Sequence, residues 1–125
     1  MPRGRPARRS GRTTGSGRAT GCSAGGRAIG QVGATPDGTI LKGFEAQARQ
    51  CWANILAILA ADGMSAADLV KATIFVTSPD TVAASRTIRD EALKDAQPAS
   101  TFLVVAALAH PDLLVEIEAV AARPM

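Results

Sequence analysis

Apolar positions between residues 28 and 125 follow two rhythms, one of three to four residues and one of two. From 44 to 61, Phe44, Ala48, Cys51, Ile55 and Leu59 recur at spacings of three and four, with Gln47, Arg49, Gln50 and Asn54 around them. That is the repeat of one face of an α-helix. Gly63 follows where a helix commonly stops, and eighteen residues make a rod about 27 Å long. Residues 69–77, entered by a capped turn over 64–68, contain Val70, Ile74, Phe75 and Val76 and read as a strand. Ser78-Pro79-Asp80 predicts a helix start, with Ser78 as N-cap and Pro79 in the first helical position. That helix runs to about Lys94 on a modest apolar side of Val82, Ala84, Ile88 and Ala92, and Gln97-Pro98 breaks it. Two more strands are expected at 100–108 and 113–122, joined by a turn at His110-Pro111-Asp112. Ahead of the first helix, residues 28–34 lead into the turn signal Thr35-Pro36-Asp37-Gly38, with residues 39–41 continuing a short hairpin. The predicted order is ββαβαββ, an α+β domain.

The two closing strands carry the main inference. Thr101-Phe102-Leu103-Val104-Val105-Ala106-Ala107-Leu108 is apolar on both faces, and side chains alternate across a strand, so both sides of the sheet need cover there. Two helices blanket one face. The simplest cover for the other is a second copy of the chain. The last strand alternates more cleanly: Glu116, Glu118 and Val120 share one face, and Val115, Ile117 and Ala119 share the other. A carboxylate turned toward a seam between copies is costly unless paired or wet, which makes Glu116 a candidate site residue. An exposed edge strand with ordinary solvated glutamates gives the same pattern.

Composition divides the chain. Residues 1–27 hold seven arginines, no acid, and no Leu, Ile, Val or Phe. Such a stretch cannot bury enough apolar surface to offset chain entropy and is read as a separate basic, disordered segment. Three origins fit it: an arm for nucleic acid or another polyanion, a transit peptide, against which the missing apolar face argues, or a GC-rich stretch read in the wrong frame or from the wrong start. Residues 28–125 hold seven basic side chains against eleven acidic ones, so the domain itself is mildly acidic although the whole chain is +3. A 46% hydrophobic share is ample for a core, and with 3% aromatic residues that core is aliphatic. No apolar run approaches the ~18 residues that span a bilayer. Cys22 and Cys51 form no CxxC pair, so neither a zinc site nor a disulfide framework is indicated. No metal or cofactor is expected, and a reducing cytoplasm fits best.

Four stretches taken together resemble the RidA (YjgF) family: Gly30-Gln31-Val32-Gly33, residues 46–55 (AQARQCWANI), residues 70–76 (VKATIFV), and Pro98-Ala99-Ser100-Thr101 with residues 115–121 (VEIEAVA). The likeness runs over roughly residues 30–123, and its specificity lies in the series. It implies a chorismate-mutase-like fold, a mixed β-sheet with two helices packed on one face, assembled as a homotrimer with ligand clefts between subunits. Members that hydrolyse reactive enamines and imines, such as 2-aminoacrylate, grip the substrate carboxylate with an arginine just after the Pro-Ala pair. A glutamate matching Glu116 positions the attacking water. Here the arginine position is Ser100. A neutral hydroxyl offers one hydrogen bond in place of two charge-assisted ones, each worth roughly 1.5–3 kcal/mol. Gly30, Arg86 and Phe102 are the expected ligand-binding residues, Arg86 as a spare cation, although an arginine on a helix is ordinarily a solvated surface group. Ile29 stands where the family commonly has serine, and the strand that precedes Gly-Gln is short.

Three functions follow. The first is a RidA-like protein that binds a small molecule, a 2-imino or enamino acid, in a pocket between subunits, with weak or altered deaminase (hydrolase) activity. The second is a trimeric scaffold or regulator without chemistry. The third is an RNA-binding or endoribonuclease-like protein using the basic arm; an acidic domain with few aromatic residues and one histidine argues against it.

Overall fold

The computed structural model describes residues 20–21 and 26–123. Strand β1 (Thr20–Gly21) pairs with β2 (Gly26–Val32), and helix α1 (Phe44–Ala61) follows. Strand β3 (Leu69–Val76), helix α2 (Val82–Leu93), β4 (Ala99–Val104) and β5 (Val115–Ala122) complete the chain. The sheet order is β1-β2-β5-β3-β4. The β3–β4 pair is parallel and the others are antiparallel, so the sheet is mixed, with α1 and α2 on one face.

The helices lie where one side of each strand is apolar. Ile29 of β2, Ala72, Ile74 and Val76 of β3, and Val115, Ile117, Ala119 and Ala121 of β5 are all buried. They meet Ala48, Cys51, Trp52, Ile55 and Leu59 from α1, and Ile88 and Leu93 from α2. Trp52 is core packing, and Cys51 is a free, buried thiol. Cys22 lies outside the described residues.

Five expectations shift. The strand expected at 100–108 ends at Val104, because its partner β3 ends at Val76; Val105 N–H still donates to the Val76 carbonyl at 2.8 Å, and there the ladder runs out. The last strand starts at Val115 rather than 113, after the His110 turn. Residues 39–41 form no strand, only a single bridge from Ile40 to Ala34. Pro79–Thr81 is a 3-10 turn, with the Ser78 hydroxyl accepting from Asp80 N–H, before α2 begins at Val82. β5 is no edge strand either. It runs through the middle of the sheet between β2 and β3.

Among the described residues, nothing covers the face away from the helices. Register places Val32, Glu116, Phe75 and Leu103 in one row across β2, β5, β3 and β4, with Gly30, Glu118, Thr73 and Thr101 in the next. Leu103 keeps 44% of its surface exposed. Alternation alone predicted this surface.

Candidate functional site

Glu116 and Ser100 line two separate clefts that share no lining residue, and Gly30, Arg86 and Phe102 line neither. The first, about 250 Å³, lies at the end of β5 where the turn after β2 and the loop before β5 come together; Val32, Gly38, Ile40, His110, Leu113 and half-buried Glu116 line it. Each wall has a local cause. Gly38 N–H donates to the Thr35 carbonyl at 2.8 Å, and Gly38 takes φ +92°, a conformation that favours glycine. The Asp37 carboxylate accepts from the Thr35 hydroxyl and from Thr39 N–H. These bonds, Thr35 foremost, hold the Asp37 carboxyl below its usual range. On the other wall, His110 Nδ1 accepts from Asp112 N–H at 3.0 Å, which fixes the ring against the turn.

Gln47 binds the two walls together. Its side chain, 1% exposed, donates from Nε2 to the carbonyls of Leu41 (2.9 Å) and Asp112 (2.8 Å), and its Oε1 accepts from Leu114 N–H at 2.8 Å. The helix can approach this closely because position 33 is glycine: a Cβ there would stand 2.3 Å from the Gln47 Cβ. Asn54 adds a bond from Nδ2 to the Ala34 carbonyl at 2.9 Å. In the sequence Gln47 and Asn54 are polar flanks of the helix. Their separation of seven residues, which puts both beside the Ala48–Cys51–Ile55 stripe, was the available signal. His110, a turn residue in the sequence, lines the Glu116 cleft.

The second cleft, about 380 Å³, lies between α2 and the edge strand β4, lined by Arg89, Leu93, Ala96, Gln97, Pro98 and Ser100. Ser100 pairs in register with buried Ala72 and so points to the helix side; its hydroxyl donates to the Pro98 carbonyl at 3.3 Å. Next along β4, the Phe102 ring carries two guanidiniums, with Arg86 Cζ and Arg89 Cζ each 5.3 Å from its centroid. Ser100, Phe102 and Arg86 are thus neighbours on the helix side. Glu116 and Gly30 lie on β5 and β2 of the uncovered face, and Gly30 is paired in register with Glu118. Within one chain, Ser100 and Glu116 do not meet.

Beneath the sheet, burial pushes the Cys51 thiol well above its ordinary range, and the charge of Glu116 adds to the effect. Cys51 is a packing residue rather than a nucleophile. Among the described residues, no group of three or more His, Cys, Asp and Glu side chains is placed to hold a metal ion. No described helix is long and apolar enough to cross a membrane.

The model of the Endoribonuclease L-PSP family matches residues 27–123. The chain belongs to the RidA/YjgF family. A RutC family protein of Pyrococcus horikoshii is 36% identical over 94 residues, 74% of each chain. Among solved structures, RidA from an Antarctic Psychrobacter superposes with a TM-score of 0.78 at 33% identity, over 84% of this chain and 85% of that one. TdcF of E. coli, solved with bound serine, gives 0.75 at 29% identity, over 82% and 84%. The RidA/YjgF fold therefore holds across the sheet and both helices, with β1 at the sheet's outer edge.

Proposed function

We propose that the chain is a RidA-like small-molecule-binding protein whose pocket forms between copies of the chain, with imine or enamine deaminase activity that is weak or altered. The observation that carries this is the setting of Glu116. Its half-buried carboxylate stands in one row with Val32, Phe75 and Leu103 on the uncovered face and opens into a cleft of about 250 Å³. A second copy on that face would shield the apolar row and turn the open cleft into an enclosed one. It would also let a residue from the helix side of one copy approach Glu116 of another, which a single chain forbids.

Glu116 suits the role of accepting a proton from an attacking water. The carboxylate grip is the weak part. Ser100 offers a single neutral donor already directed at Pro98, and the lost charged bonds correspond to at least about tenfold in binding. The serine held by TdcF, a relative of the same fold, supports a ligand of amino-acid size. The chain's one histidine leaves no pair for phosphodiester cleavage, which counts against an RNA-cleaving reading.

Ammonia release from enzymatically generated 2-aminoacrylate tests the proposal. Turnover is expected at least about tenfold below that of an arginine-bearing relative, on the same bond energies, to rise in Ser100→Arg and to vanish in Glu116→Gln. Turnover equal to the relative's would overturn the impairment. An S100R variant with no gain would mean that the cleft serves other chemistry.

A further inference from the structure

We infer, resting on the reading of Glu116 as the reactive carboxylate, that His110 anchors the ligand in the same cleft and that its partner there is a neutral carbonyl oxygen. The substrate class this assigns is the uncharged amide of a 2-imino or enamino acid rather than the free acid.

The lining of the cleft sets the chemistry. Val32, Ala34, Ile40 and Leu113 are apolar, and the polar side chains are those of Glu116 and His110. His110 Nδ1 is committed, because it accepts from Asp112 N–H at 3.0 Å. In the neutral ring the proton is therefore on Nε2, which makes that atom a donor. The side chain is 50% exposed, so a ligand can reach it. Its place is nevertheless fixed by the loop that carries it. The His110 carbonyl accepts from Leu113 N–H at 3.0 Å, and Gln47 holds the Asp112 carbonyl and Leu114 N–H at 2.8 Å each. A fixed donor on the wall of a cleft that also holds a carboxylate makes a two-point site. One point takes an acceptor oxygen, and the other serves the reacting water.

Charge decides what that oxygen belongs to. Among the described residues, no lysine or arginine lines the cleft. Lys42, the cation of the adjoining loop, is exposed and stands outside the lining. Acids surround the site instead. Glu116 lines it, Asp112 Oδ2 lies 3.9 Å from His110 Nδ1, and Asp37, whose hydrogen bonds from Thr35 and Thr39 hold its carboxyl below the usual range, precedes the lining residue Gly38. A ligand carboxylate would enter against these charges with its own left unpaired, which selects against it. A carbonyl oxygen needs only a hydrogen-bond donor, and Nε2–H is one. Ser100 lines the other cleft and does not alter this balance.

Pyruvamide and pyruvate are stable probes that differ in this one group. The chain has a single histidine, so its ring protons report the site directly in NMR titrations at pH 8 and constant ionic strength. Pyruvamide is expected to shift them saturably and to bind about tenfold or more tightly than pyruvate, on the cost of leaving a charged group unpaired. His110→Asn keeps an acceptor for Asp112 N–H, since asparagine bonds the backbone two residues on, but withdraws the Nε2–H donor. Followed at the amides of Gly38 and Leu113, its affinity for pyruvamide is expected to fall about two- to tenfold, the range of one neutral hydrogen bond. Glu116→Gln is expected to narrow the gap between the two probes by admitting pyruvate. Binding is read here without turnover, so a protein that releases no ammonia from 2-aminoacrylate sinks the deaminase reading and leaves this result standing. Equal binding of the two probes, a preference for pyruvate, no saturable shift with pyruvamide, or unchanged amide affinity in folded His110→Asn would overturn the inference. Should that variant unfold, the probe preference and ring shifts of the parent protein decide it alone.

Discussion

Two glutamines, both 1% exposed, show how a buried amide acts at the scale of one residue. Gln47 makes three hydrogen bonds, all to backbone groups of the segments that wall the Glu116 cleft. Gln31, on the helix side of β2, has neither Nε2 nor Oε1 hydrogen-bonded to a described residue. A buried polar group left without a partner costs about 1–3 kcal/mol, whereas a satisfied one contributes net stability. Gln47→Met deprives Leu41, Asp112 and Leu114 of their partners at once. We expect a loss of about 2–4 kcal/mol, since loops regain part of the bonding from water. Gln31→Met removes an amide that returns little and keeps its volume, so its stability is expected within about 0.5 kcal/mol of the parent or above it. Urea melts of the two variants decide it: equal losses at both positions would show that burial rather than bonding sets the cost. Loss at Gln47 should also raise amide exchange in residues 33–41 and 110–114.

At the scale of elements, the joint between β2 and α1 is electrostatic. Arg27, at the start of β2, donates from Nε to Asp62 Oδ2 at 2.6 Å and from Nη2 to Oδ1 at 3.3 Å. Asp62 caps the C-terminus of α1, where a negative charge is unfavourable against the helix dipole. The Arg27 guanidinium offsets that and holds the Asp62 carboxyl below the ordinary 3.8. The sign follows: the unfolded chain takes up the proton first, so the stabilisation is complete above pH 3.8 and is lost as pH falls through the lower folded value. The pair is partly exposed and is worth under about 1 kcal/mol at neutral pH. Thermal melts of Asp62→Asn are expected to fall less steeply between pH 5 and pH 3 than those of the parent. Some slope remains, because Asp37 is depressed in the same direction. A parallel fall in both proteins would remove the joint from the acid response. Elements of this kind differ in how plainly the chain spells them. Helix α1 was legible to its ends, since a stripe at three- and four-residue spacing repeats over five turns and stops at a turn glycine. The end of β4 was not, because Val105, Ala106, Ala107 and Leu108 continue the apolar run while the partner strand that would bond them has ended. The Arg27–Asp62 joint, 35 residues apart in sequence, left no local trace. Nor did the Gln47 clamp, whose acceptors are backbone carbonyls and carry no side-chain signature. The site was legible in part: Glu116 from alternation, Ser100 from resemblance, and the Arg89 contact with Phe102 from neither.

For the whole molecule, the uncovered sheet face sets the behaviour in solution. Phe75 and Leu103 are paired in register on that face, in the row that carries Glu116, and an apolar patch of this kind invites association. A replacement for Leu103 bears on that question alone. With 44% of its surface exposed in the single chain, an acidic side chain there stays hydrated in the monomer. In an assembly built on this face the same carboxylate would be dehydrated beside Phe75, a cost of several kcal/mol per buried charge. Leu103→Glu is therefore expected to leave the circular dichroism spectrum and the cooperativity of unfolding intact while shifting the chain from oligomer to monomer, by light scattering coupled to size exclusion. On the proposed function the pocket goes with it: turnover of 2-aminoacrylate, raised by Ser100→Arg, should collapse in the double variant. A Leu103→Glu protein that remains oligomeric would move the interface to another surface and detach Glu116 from it.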